Sequence, residues 1–353
     1  MAQQQPPVTE WDVVVVGAGV IGCAVARELA RRGATTVVIE ARAVGAGATQ
    51  ASAGVLAPYI EAPSDGPLHA MTVQSLSLYD EFISSVARES SIPIEYRRCG
   101  TLEVAYDAKA AEHLRGLHEW IRSTGVDAQW IDPADVGRLE PALAPTGGGL
   151  LVPSHGYVQA SQLTSALADA ARGYGADLRE GRGVEVIQVR GDRATVIAGG
   201  DTYSARTVVV AAGSWSSDLG PEADVAPVRG QLVRVRWKGP PIHRILWSEQ
   251  CYLVPWLDGT LLVGATVEQV GFDERVTAGG VQTLLNAASA MLPAVNEATF
   301  IDARVGLRPS TSSGLPIIRR SAEHSAVVYA TGHFRNGILL APLTATLVAD
   351  MIT

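Results

Sequence analysis

The hydrophobic pattern opens with an apolar, β-branched run at residues 11–16, broken only by Asp12. It predicts a strand buried on both faces. Gly17-Ala18-Gly19 follows, then helix-forming residues from Val20 to Arg32, with Gly33 placed to end the helix. Thr35 to Glu40 predicts a second buried strand. The unit is a strand–helix–strand of about 30 residues, expected to be parallel and right-handed.

Beyond it, Ala43 to Pro58 is a loop almost free of large side chains. An amphipathic helix is expected over 68–90, a short strand over 100–106 and a helix over 108–124. Gly147-Gly148-Gly149 marks a turn, and Ser161 to Tyr174 a further helix. Strand-like runs follow at 184–189, 194–197 and 207–210, then at 231–237, 251–255 and 260–265. Ala278 to Met291 reads as a helix, Ala326 to Ala330 as a buried strand, and the run to Met351 as an apolar helix.

Buried parallel strands at both ends, with alternating patterns between, predict an α/β (α+β) fold. One Rossmann-like domain would comprise residues 8–90, 150–225 and 300–353. A mostly antiparallel substrate domain, 91–149 and 226–299, would be interleaved with it. A length of 353 residues suits two domains.

Composition narrows the function. Net charge is −8 with no basic block, so no nucleic acid partner is expected. Only 18% of residues are charged while 36 are glycine, so buried elements and close backbone approaches are expected. Cys23, Cys99 and Cys251 show no CxxC spacing, which argues against disulfides or zinc and fits a reducing cytoplasm. The first residues carry no basic region ahead of an apolar stretch, so no signal peptide is expected, and no run reads as a membrane span.

Gly17-x-Gly19-x-x-Gly22 between strand and helix is a phosphate-binding turn. Gly17 permits the tight turn, Gly19 the approach of a pyrophosphate, and Gly22 close helix–strand packing. Glu40 closes the second strand, where a carboxylate can hold ribose hydroxyls. The motif does not separate FAD from NAD. The run of small and polar residues from Gly45 to Gly54 favours FAD, since backbone amides can pack along an extended ligand there.

Several segments carry a family resemblance: Gly17 to Gly22, Glu40, Thr49 to Pro58, Thr207 to Trp215 (with Gly213), Gly306 to Pro309 and Gly332 to Pro342. Together the chain resembles the FAD-dependent amino-acid oxidases of the D-amino-acid oxidase superfamily, and its last motif most resembles the glycine oxidases of the thiazole branch of thiamine biosynthesis. The resemblance implies that Val20, Ile21, Glu40, Ala41, Ala48, Thr49, Ala53, Gly54 and Val55 line the FAD, with Val184 at its adenine end. It also implies that the loop of His333, Phe334, Arg335, Asn336, Gly337, Ile338 and Leu339 faces the flavin. A helix starting near Gly337 would aim its amides at the flavin edge that becomes anionic.

On the substrate side the resemblance assigns Arg308 to the substrate carboxylate, Tyr252 to share it, and Arg335 as a second arginine. A guanidinium suits the first task because it pairs bidentately with a carboxylate. Gln250 stands where relatives can carry histidine, and Val55 and Val267 where they can carry methionine. With no cysteine near Arg308, the FAD is expected to be non-covalent. His69, His113, His118, His155, His243 and His324 show no metal spacing, and no general base is nominated. Residues 59–65 are a candidate lid.

The expected reaction is hydride transfer from the α-carbon of glycine or a small amine to flavin N5, with oxygen reduced to hydrogen peroxide. A thiazole synthase is a candidate acceptor of the imine, and the resemblance implies a homotetramer. The alternatives are a D-amino-acid oxidase or dehydrogenase, a sarcosine-oxidase-like enzyme, or a flavin-bearing subunit of a larger complex.

Overall fold

The computed structural model describes residues 9–62 and 64–353. The N-terminal leader reading, Val8 of the first expected segment and Pro63 of the expected lid lie outside the described residues.

The strand Thr9–Val16 is the centre of an eight-stranded sheet. It pairs in parallel with Thr36–Ile39 on one side and Asp201–Val210 on the other. Thr36–Ile39 pairs in turn with Asp177–Arg179. The far edge of Asp201–Val210 is shared: its first half takes Arg193–Ala198 antiparallel, its second half Val327–Thr331 parallel. Valines 13 to 15 are fully buried, as expected for a strand covered on both faces. The helices Val20–Arg31, Ala160–Gly173 and Gly337–Ile352 share one core cluster with that sheet. Alanines and Cys23 on the first of these helices keep its buried side shallow, so the other two approach closely.

A second eight-stranded sheet runs in the order 299–311, 225–236, 260–264, 252–255, 245–247, 101–104, 149–152, 129–131. Every neighbouring pair is antiparallel except Ile245–Trp247 beside Thr101–Val104. Alternate residues face opposite ways. Val233, Val235, Leu253, Leu261 and Val263 pack with the helix Ala278–Met291. Leu232, Trp247, Val254 and Leu262 face Ala53 of the glycine-rich loop. A small third sheet of Val55–Leu56, Gly156–Val158 and Tyr96–Arg97 also carries that loop.

Three of the expected segment boundaries fall inside strands. The 149/150 boundary cuts Gly149–Val152, which belongs wholly to the second sheet. The 225/226 and 299/300 boundaries each cut one residue into a strand, Val225–Arg236 and Thr299–Thr311, and these two pair along their lengths. Residues 300–311 therefore join the antiparallel sheet. An apolar run announces a strand, but its partner comes from a part of the chain that local pattern does not contain.

Candidate functional site

The strand Thr9–Val16 delivers Gly17 into a turn that other residues could not make. Gly17 has φ +101°, and a Cβ there would lie 2.5 Å from the Ala211 carbonyl oxygen. Gly22 faces the packing side, since its Cβ would meet the Gly17 carbonyl at 1.9 Å. Gly19 caps the helix Val20–Arg31 without a side-chain hydrogen bond. Glu40 Oε2 accepts from the Ala18 amide at 2.7 Å, and Thr49 Oγ1 from the Val20 amide at 3.2 Å. Among the described residues nothing accepts from the amides of Gly19 and Ile21, both at the cavity wall. They are donors free for an anion at a helix N-terminus.

A second helix N-terminus meets the same space. The helix Gly337–Ile352 is locked from outside: Tyr79 Oη donates to the Ile338 carbonyl at 2.5 Å and Ser75 Oγ to that of Leu339 at 2.6 Å. Among the described residues Phe334 is the non-glycine residue with positive φ, 47°, and its amide donates to the Pro309 carbonyl. That strained turn ties the helix entrance to the strand bearing Arg308. His333 is buried and shares a 3.0 Å hydrogen bond with Thr344. Burial pushes its imidazole down to about 3, so the ring is neutral.

Between these termini lies a cavity of about 490 Å³, partly open to solvent. Glu40, Arg42 and Val184 wall one stretch, and Arg308, Tyr252 and Arg335 another. Gly17, Gly19, Val20, Ile21, Ala41, Ala48, Thr49, Ala53, Gly54, Val55, Gly213, His333, Phe334, Gly337 and Ile338 also line it.

Arg308 and Tyr252 come from different strands of the second sheet. Arg308 Nη1 donates to the Thr266 carbonyl at 2.9 Å, and among the described residues no carboxylate pairs with it. Burial lowers its pKa, though a guanidinium stays charged. The Tyr252 phenol is raised by burial against the opposing pull of Arg308 and Arg335, and remains a neutral donor. Its ring packs on Trp247 at 4.8 Å between centroids. A partly buried cation with no counter-charge, beside a phenol, is built to receive an anion from outside the chain.

Four expectations differ from the observed placement. Gln250 is exposed in the turn between Ile245–Trp247 and Tyr252–Pro255, outside the cavity wall. Val267 is 56% exposed just beyond Thr260–Gly264 and outside the cavity wall, between Thr266 and Glu268, which still hydrogen-bond to Gln231 and Arg229 of the neighbouring strand. Asn336 and Leu339 are buried behind the wall, one as helix cap and the other turned to the helix Pro67–Glu89. Arg335 does line the cavity, but Glu61 grips it through bonds of 2.6 and 2.9 Å. Residues 58–61 form one helical turn with Tyr59 buried, so this part of the expected lid is packed against the body.

Sequence reasoning missed other wall residues. Glu61 gave no motif signal. Trp215 closes a segment noted for its glycine, and Arg42 lies over its ring at 4.9 Å while pairing with Glu274. Arg182, Asp218 and Thr331 also line the cavity. Such side chains meet only after folding.

The cavity fits an adenine dinucleotide: a carboxylate at the ribose position, free amides at one helix terminus, and a second helix terminus beside the unpaired cation. The sequence profile of the DAO family, described as FAD dependent oxidoreductase, matches residues 12–351. A glycine oxidase of Geobacillus kaustophilus is 35% identical over 97% of this chain and 93% of its own. The crystal structure of glycine oxidase from that organism superposes with a TM-score of 0.94, covering 97% of this chain and 94% of that one. A bifunctional protein ThiO/ThiG of Trichormus variabilis is 36% identical over 97% of this chain, which spans only 52% of that longer protein. This chain belongs to the DAO family of FAD dependent oxidoreductases.

Proposed function

We infer that this FAD-dependent enzyme oxidises glycine and similarly small amino acids. The observation that carries this reading is Arg308, a half-buried guanidinium with no carboxylate partner among the described residues, beside Tyr252 in the wall of the cofactor cavity. The substrate carboxylate takes the bidentate face of Arg308 and a hydrogen bond from Tyr252. That fixes the α-carbon and amine relative to the cofactor, and the wall of small residues around Ala53, Gly54 and Val55 excludes water. Bound FAD supplies a two-electron acceptor for the hydride of the α-carbon, and its reoxidation by oxygen yields hydrogen peroxide.

The amine must be neutral for its lone pair to assist, and solvent takes that proton. The neutral His333 is held by Thr344 and is not the base. The organic product is the imine, which hydrolyses to an oxo acid and ammonia. Similarity to ThiO/ThiG supports a thiazole synthase as an alternative acceptor. The free cysteines suit a reducing cytoplasm, and a homotetramer is the expected assembly.

The deciding experiment is anaerobic addition of glycine to the purified holoenzyme. Glycine should bleach the flavin absorbance, and air should restore it with release of peroxide. A panel with sarcosine, D-alanine and D-proline ranks the substrates. Failure of every small amino acid would overturn the reading in favour of a flavin-bearing subunit.

A further inference from the structure

Two glycines lie beneath the substrate-side groups. A Cβ built on Gly230 would sit 2.2–2.3 Å from Nη2, Cζ and Nη1 of Arg308. All three nearest atoms belong to the guanidinium, so its plane rests flat on the backbone at Gly230. A Cβ on Gly264 would sit 2.4–2.5 Å from Cζ, Oη and Cε2 of Tyr252, so the phenol rests there in the same way. Neither glycine has positive φ, and at Gly230 the backbone conformation does not itself demand glycine.

Sheet register explains the match. Tyr252 stands opposite Gly264, and Gly264 opposite Leu232. Gly230 is two residues before Leu232 on the same strand, so the two glycines are diagonal neighbours on one face. Gly230 stands opposite Gly306, and Arg308 two residues further along reaches back across that pair. The hydrogen bond from Nη1 to the Thr266 carbonyl fixes the guanidinium within its plane. Contact with Gly230 fixes the height of the plane above the sheet.

We propose that Gly230 and Gly264 are positioning residues for the substrate carboxylate, forming a side-chain-free floor on which Arg308 and Tyr252 lie flat. This rests on the carboxylate-clamp reading above. Any side chain at Gly230 lifts the guanidinium toward the bound substrate and tilts its fork. The flexible Arg308 head can yield, so Gly230→Ala changes recognition before it changes folding.

The test uses holoenzyme, with acetate as the carboxylate probe read by perturbation of the flavin spectrum, and with KM for glycine. Gly230→Ala should weaken both about tenfold or more, since a misplacement near 1 Å can cost about a hundredfold. The same change on an Arg308→Lys background should alter either by less than about twofold, because no planar group remains to be lifted. Wild-type acetate affinity in Gly230→Ala overturns the proposal. So does an equal loss on the lysine background, or failure of Gly230→Ala to fold there. If Arg308→Ala itself binds acetate as tightly as wild type, the clamp reading falls as well. Loss in Arg308→Ala with none in Gly230→Ala sinks only the glycine floor.

Discussion

Glu61 and Arg335 form a bidentate ion pair at the cavity wall, with N–O distances of 2.6 and 2.9 Å. The pair divides labour between two arginines that look equivalent in sequence. Burial alone would lower the Arg335 pKa, but the Glu61 carboxylate outweighs it and raises it. Arg335 is thus neutralised within the chain, and Arg308 is left as the cation that needs an external anion.

Removing that cation isolates its role. Arg308→Ala should raise KM for glycine about 10–100-fold, the equivalent of losing a charged hydrogen bond of about 1.5–3 kcal/mol. FAD content should stay at the wild-type level, and Arg308→Lys should recover part of the loss. Steady-state peroxide assays measure it, and an unchanged KM would dismiss the clamp.

Breaking the Glu61–Arg335 pair should do the reverse. Glu61→Gln leaves a second unpaired guanidinium on the wall, so acetate should bind more tightly than to wild type. Stability should fall by about 1–3 kcal/mol, the cost of a partly buried charge losing its partner. Denaturant melts and flavin titrations read the two effects separately.

Glu103 provides a pH-dependent test. It lies on the strand Thr101–Val104, with Oε2 buried and without a hydrogen-bond partner among the described residues. Burial, and then the nearby Glu61, push its carboxyl up from 4.5 to about 7. Below about pH 4.5 both folded and unfolded chains keep the proton, and nothing is lost. Between there and about pH 7 the unfolded chain ionises first, so stability falls as pH rises, by at most about 3 kcal/mol. Glu103→Gln should therefore melt higher than wild type at pH 8 and at the same temperature at pH 4.5. Parallel melting curves at both pH values would count against the burial of this carboxyl.

At the other end of the cavity, Gly17→Ala should abolish FAD retention. It combines a disfavoured φ of +101° with a contact of 2.5 Å to backbone that cannot move aside. Flavin-to-protein absorbance ratios after gel filtration measure the loss.

Local pattern was enough for the first strand–helix–strand unit, the phosphate turn and the longer helices, but not for the strands Thr299–Thr311, Ile245–Trp247 and Gly149–Val152. The run ending at Val16, Gly17, Gly19, Gly22 and Glu40 are contiguous, and strand, turn and helix propensities act over a few residues. The cofactor wall was legible wherever it followed such a motif, as at Ala48, Thr49, Ala53 to Val55, and His333 to Arg335. Glu61 carried no such signal, because its role exists only through Arg335, which is 274 positions away.

By itself, then, the sequence determined an α/β dinucleotide-binding domain joined to an antiparallel one, and its family resemblance pointed to Arg308 and Tyr252. Only the tertiary structure decided which sheet owns 149–152 and 300–311, that Gln250 and Val267 stand outside the cavity, and that Arg335 is already paired. The physical reason is the same in each case. Strand formation and tight turns are local, whereas strand partners, counter-charges and empty space beneath a side chain are set by residues that meet only when the chain has folded.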